Sequence, residues 1–323
     1  MKEKILKILS LTLCNVLLFS ILLLISDFIL FKIEYKNLKL SQEENLHFFN
    51  NIFKPTIQNV TNLEFEKEDS SYGYGSQGRK PDGLTFDEQN PIIVFGCSYA
   101  YGHYLYQNQT FSYKLANILK RSVYNRALAG AGPQHAYYQT STEDFYKEVP
   151  KSNTVIYVMI DDHYRRIQGE MFGLLDTDLN LHYKIKDKNL VMDNYNNYIL
   201  NALKFSKTLI LIRQKYKKYY IDNPENADKL TDEILLYYSK IKENLETKWN
   251  NKINFYVIFY EDIKYSDMLQ NKLENSNFKV LKTSDLTNKD LNSPKYKMQD
   301  NGHPTEEAWN LLTPLILKNI DLK

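Results

Sequence analysis

Pro91-Ile92-Ile93-Val94-Phe95-Gly96-Cys97-Ser98-Tyr99-Ala100-Tyr101-Gly102 decides how the rest of this chain is read. Pro91 to Phe95 is an uncharged run rich in β-branched residues, which predicts a buried strand. Gly96 and Gly102 bracket a turn that sets Ser98 just beyond the strand's carboxyl end. Far downstream stands Asp300-Asn301-Gly302-His303-Pro304. A serine on the turn leaving a buried strand, with a distant Asp-x-x-His, is the set that acyl-transfer chemistry needs for nucleophile, base and orienter.

Outward from this strand, apolar runs alternate with helical periodicity. Strands are predicted at Ser122 to Ala127, Thr154 to Ile160, Ile253 to Tyr260 and Phe278 to Thr283. Helices are predicted at Gln109 to Lys120, with Phe111, Leu115, Ile118 and Leu119 on one face, then at Gln134 to Lys147, Tyr198 to Tyr220 and Ala227 to Asn250, and from Pro304 onward. Such alternation predicts an α/β domain with a mostly parallel five-stranded sheet, whose ligands gather at the carboxyl edge of the strands. Residues 171–193 interrupt the pattern, and a small hairpin around Lys186-Asp187-Lys188-Asn189 is expected there as a lid or specificity element.

The chain has 323 residues, enough for one substantial core with an attachment. Ile5 to Phe31 is apolar over more than the roughly 20 residues that span a bilayer, which predicts a single-pass anchor. The expected organisation is therefore an anchor at 5–31, a stalk and irregular lead-in at 32–90, and a catalytic domain at 91–323 that faces the extracytoplasmic side. The 41 Lys and Arg nearly cancel the 39 Asp and Glu, leaving +2, so no broad field is present to hold nucleic acid. Cys14 lies in the anchor and Cys97 beside Ser98, which argues against a disulfide. Cys97 reads as a small buried residue; a thiol-based enzyme is a distant third reading.

Two other motifs fail on context. Gly73-Tyr74-Gly75-Ser76-Gln77-Gly78 spells a dinucleotide loop, but no strand precedes it and the following Arg79-Lys80-Pro81-Asp82-Gly83 opens no helix. Asp176-Thr177-Asp178-Leu179-Asn180 starts like a calcium loop, but Leu181 and Asp187 stand where glycine and glutamate are needed. Neither a cofactor nor a dedicated metal site is expected.

Phe95-Gly96-Cys97-Ser98-Tyr99-Ala100-Tyr101-Gly102 resembles the first sequence block of the SGNH/GDSL hydrolases, a family of esterases, lipases and carbohydrate O-acyl hydrolases and transferases. Asn125-Arg126-Ala127-Leu128-Ala129-Gly130 is similar to the second block and Asp300-x-x-His303 to the fifth. The resemblance implies a three-layer, flavodoxin-like sandwich and an acyl-enzyme on Ser98. His303 would take the serine proton, and Asp300 would hold the imidazole in the right tautomer. The Ser98 and Gly130 amides are the expected oxyanion donors. The third block departs from the family's Gly-x-Asn-Asp pattern: the chain runs Asp161-Asp162-His163-Tyr164-Arg165-Arg166. An ionised carboxylate cannot donate a hydrogen bond, so His163 is the candidate third donor, while Asp162, Arg165 and His103 are candidates for substrate binding. His135 is a further residue near the pocket mouth, with packing the stronger reading.

The 26 tyrosines do not by themselves imply sugar binding, because aromatic side chains mostly supply buried surface. By family resemblance the expected substrate is an O-acylated, above all O-acetylated, carbohydrate of the cell envelope, or another ester. The rival expectation is a membrane-tethered binding or assembly protein that keeps the fold without efficient catalysis.

Overall fold

The computed structural model of the protein describes residues 87–168, 183–192, 218–298 and 302–321, with position 215 and several positions between 15 and 29. Its strands are β1 (Asp87–Gly96), β2 (Arg121–Asn125), β3 (Thr154–Met159), β4 (Tyr183–Lys186), β5 (Asn189–Met192), β6 (Asn254–Phe259) and β7 (Lys279–Lys282). Five of them form one sheet in the order β2-β1-β3-β6-β7, with every neighbouring pair parallel. This is the flavodoxin-like order. The chain leaves β1 to one side for β2 and returns to the other for β3, so a crevice opens where the order reverses, beyond the carboxyl end of β1.

Parallel neighbours need crossover connections, and helices supply them on both faces. They are α1 (Ser98–Tyr101), α2 (Phe111–Leu119), α3 (Pro133–Thr140), α4 (Glu143–Glu148), α5 (His163–Ile167), α6 (Ala227–Trp249), α7 (Ser266–Asn275), α8 (Thr283–Leu286) and α9 (Glu306–Lys318). Alternate strand residues feed two cores. Ile93, Phe95, Val155, Tyr157, Phe255 and Val257 pack with α3, α4, α6 and α7. Ile92, Val94, Ile156, Val158, Tyr256 and Ile258 pack with α2 and α9, where the buried Trp309 stacks on Phe111 at 4.7 Å.

Several expected boundaries shift for local reasons. β1 begins at Asp87, with a register irregularity before Ile92. The helix expected over Gln134 to Lys147 divides into α3 and α4 at Ser141-Thr142, where the Ser141 and Thr142 side chains hydrogen-bond back to the Tyr137 and Gln139 carbonyls at 2.7 and 2.8 Å. Ile118 points outward, because α2 buries Phe111, Ser112, Leu115 and Ala116 instead. Pro304 does not begin the last helix. It bridges Lys297, and Thr305 caps α9 by accepting from the Ala308 amide at 3.3 Å. The expected hairpin is present as antiparallel β4 and β5, turning through Asp187 and Lys188, both at positive φ.

Described positions between 15 and 29 are helical, with Leu18, Phe19, Leu22 and Ile25 exposed. No helix among the described residues is long and apolar enough to cross a membrane. Most of the expected anchor, the stalk with Gly73 to Gly78, Asp176 to Asn180, most of the helix expected at Tyr198 to Tyr220, and Asp300 lie outside the described residues.

Candidate active site

Ser98 occupies the first position of the four-residue α1, immediately past β1. The sharp exit depends on Gly96. Its φ is +147°, and a Cβ there would lie 2.9 Å from both the Ala100 Cβ and the Val158 carbonyl oxygen. Gly102 ends the turn at φ +88°, where a Cβ would meet Thr110 Cγ2 at 2.4 Å. From the end of the neighbouring strand β2, Asn125, fully buried, donates to the Ala100 and Tyr101 carbonyls at 3.1 and 3.3 Å, and its oxygen accepts from the Ala127 amide at 3.2 Å. Asn125 therefore clamps α1, the helix that carries Ser98.

His303 arrives on a ribbon in which 296–298 pair with 303–305: the Met298 amide donates to the His303 carbonyl at 2.8 Å and the Thr305 amide to the Tyr296 carbonyl at 3.0 Å. Its Nε2 lies 2.9 Å from Ser98 Oγ. The two residues are 205 positions apart in the chain, and both are buried. Three rings surround the imidazole, Tyr99 at 5.3 Å, His103 at 5.2 Å and Tyr104 at 5.4 Å between centroids. His103 thus stands in the wall of the site. This geometry suits proton transfer from the serine to the histidine as Ser98 attacks a carbonyl carbon.

The loop after β2 runs beside the turn that carries Ser98, because Leu128 donates to the Gly96 carbonyl at 3.2 Å. Gly130 follows in a turn at φ +75°. Arg166, buried, donates to the Ala131 carbonyl at 2.6 Å, and Gln134 returns a bond to the Arg166 carbonyl at 3.0 Å. Arg166 also reaches Asp162 at 3.5 Å, and Arg165 closes a partly exposed pair with the same carboxylate. One buried arginine therefore ties the loop after β2 to the turn after β3, a role the sequence pattern did not reveal. His135 accepts from the Gly132 amide through Nδ1 at 3.2 Å and so helps to hold the start of α3.

His163 is fully buried, edge-on to Tyr157 at 5.5 Å. Burial first, then the Arg166 and His135 charges, hold it well below the usual histidine range, so it is neutral. A neutral imidazole carries one N–H. Cys97 is buried at the cap of α1, in keeping with a packing role.

Glu261 escaped the sequence reading altogether. It follows β6 at φ +69° and accepts from Tyr99 Oη at 3.4 Å, while Lys297 Nζ lies 3.3 Å from the same oxygen. Burial raises its carboxyl, and Lys297 opposes that shift. Burial and then the Glu261 charge raise Tyr99 far above the usual tyrosine range, so its hydroxyl stays a donor. A lone glutamate after an apolar strand carries no motif, which is why only the fold identifies it.

No family model matches the sequence, and no curated protein is similar to it. Among solved structures, a protein described as lipolytic and of the G-D-S-L family, from Desulfitobacterium hafniense DCB-2, has TM-score 0.43 at 10% identity over 72% of this chain and 100% of that one. The lipase Lip_vut3 from a goat rumen metagenome has TM-score 0.42 at 13% identity over 72% and 97%. An acetyl xylan esterase of Butyrivibrio proteoclasticus has TM-score 0.40 at 9% identity over 72% and 63%. At TM-scores below 0.5 these likenesses carry no weight for function, which rests on the site's own geometry.

Proposed function

We propose that this chain is a serine ester hydrolase or acyltransferase of the SGNH type, acting through an acyl-Ser98 intermediate. The observation that carries the reading is the 2.9 Å contact between His303 Nε2 and Ser98 Oγ at the carboxyl edge of the parallel sheet. Asp300, three residues before His303, is the orienting carboxylate. The oxyanion donors are the Ser98 and Gly130 amides, with the neutral His163 as the third. Attack forms the Ser98 Oγ to carbonyl carbon bond, the serine proton passes to His303, and collapse expels the alkoxide, which takes that proton. Water or a second hydroxyl then accepts the acyl group by the reverse sequence.

The favoured substrate is an O-acylated, above all O-acetylated, carbohydrate of the cell envelope. The apolar 5–31 segment would anchor the enzyme, with its catalytic domain on the extracytoplasmic side, facing that material. The second reading, a tethered binding or assembly protein with weak catalysis, is favoured by one observation. Asp162 stands in the third block as a carboxylate held by Arg165 and Arg166, where a donor is expected.

The test is fluorophosphonate labelling and p-nitrophenyl acetate hydrolysis by the full-length protein in detergent. Labelling at Ser98, lost in Ser98→Ala, with turnover falling about 10⁴-fold or more in Ser98→Ala and His303→Ala, is expected. Folded wild-type protein that neither labels nor hydrolyses would overturn the enzyme reading in favour of the binding one.

A further inference from the structure

We propose that Glu261 is a positioning residue, a carboxylate that ties the nucleophile's segment to the base's ribbon through contacts separate from their direct one. The inference rests on Ser98 and His303 being nucleophile and base. Glu261 receives two donors. One is the hydroxyl of Tyr99, the chain neighbour of Ser98, at 3.4 Å. The other is the ammonium of Lys297 at 3.3 Å, and Lys297 also donates to Asn292 Oδ1 at 3.0 Å.

Lys297 acts on His303 through packing. Gly302 has φ +86°, and a Cβ there would fall 2.0 Å from Lys297 Cε, so the lysine stem lies flat on the residue preceding the base. An antiparallel bridge between Lys297 and Pro304 belongs to the same ribbon. A closed circuit results, from Ser98 through Tyr99, Glu261, Lys297 and Gly302 to His303, and back across the 2.9 Å contact. Glu261 is itself fixed, because its amide donates to Thr283 Oγ1 at 3.3 Å. In such a circuit the distance between base and nucleophile is set from two sides, and small misplacements of that distance are expensive in rate.

Lys297→Met keeps the apolar stem on Gly302 and deletes the charge; Glu261→Gln keeps the shape and deletes the other charge. In the full-length protein each is expected to lower kcat for p-nitrophenyl acetate about 10-fold, with KM within about 2-fold. The double variant should lose no more than either single one, because the two changes break one link. Hydrogen exchange by mass spectrometry supplies a readout independent of activity. The peptide carrying the Met298 and Thr305 amides should exchange faster in both variants, while peptides from β3 and β6 stay as in wild type. Unchanged exchange at that ribbon in both variants, or a fall in kcat with unchanged exchange, overturns the positioning role. A wild-type protein that fails to label at Ser98 overturns the catalytic reading instead, and the exchange comparison still decides whether the carboxylate holds the ribbon.

Discussion

Asn125 shows how one polar side chain can be worth more to a site than its own chemistry suggests. It satisfies two carbonyls of the helix that carries Ser98 and one amide of its own loop, all buried. Asn125→Leu removes these three buried hydrogen bonds. A stability loss of about 1–3 kcal/mol in urea unfolding is expected, together with slower fluorophosphonate labelling of Ser98. Gly96→Ala is expected to cost about 1–3 kcal/mol in the same assay, because the residue must keep φ near +147° with a methyl against the Val158 carbonyl. His163 gives a pH dependence. Its folded pKa lies below the unfolded value of about 6.5, so its contribution to stability is present above that pH and is lost as pH falls through the depressed value. His163→Phe should therefore flatten the acid side of a plot of unfolding free energy against pH below about 6.5, and an unchanged slope would refute this account.

At the scale of elements, the site depends on how helices start and stop. α2 ends at Lys120 in the left-handed region, φ 53° and ψ 40°, a conformation that costs a non-glycine residue roughly 1–2 kcal/mol. Lys120→Gly should raise stability by up to about 1 kcal/mol, read as a higher urea midpoint at constant m-value. α9 matters in the opposite sense. Trp309 anchors it between Phe111 at 4.7 Å and Tyr260 at 5.3 Å, and the helix follows the His303 ribbon directly. Trp309→Ala should cost about 3–5 kcal/mol and loosen His303 as well as the core, so labelling at Ser98 should slow in the protein that remains folded.

Over the whole molecule, the reversal of strand order between β2-β1 and β3 brings three separate loops to one edge. Ser98 comes from the exit of β1, Gly130 from the loop after β2, and the Asp162 to Arg166 turn from the exit of β3, and the distant His303 ribbon closes over them. Arg126 and Arg166 lock these loops to helices. Arg126, buried, donates to Gln139 at 3.0 Å and to Glu148 at 2.9 Å, and its guanidinium lies 5.5 Å from the Phe145 ring. Such buried cations hold loops in place rather than add net stability, because desolvation offsets much of their attraction.

The sequence by itself determined the buried strand ending at Gly96, the parallel alternation of strands and helices, the hairpin at 183–192, and that Ser98 and His303 belong together. These features are written in local pattern: runs of apolar residues, glycines where the backbone must turn, and a short motif at each end of the chain. Only the tertiary structure decided that Asn125 clamps α1, that Arg166 joins the loop after β2 to the turn after β3, and that Glu261 links Tyr99 to Lys297. Tyr99 and Glu261 are 162 residues apart. Nothing in the local pattern chooses a partner at that separation; the choice is made by which loops the sheet order brings together and by the cost of burying a charge without a partner.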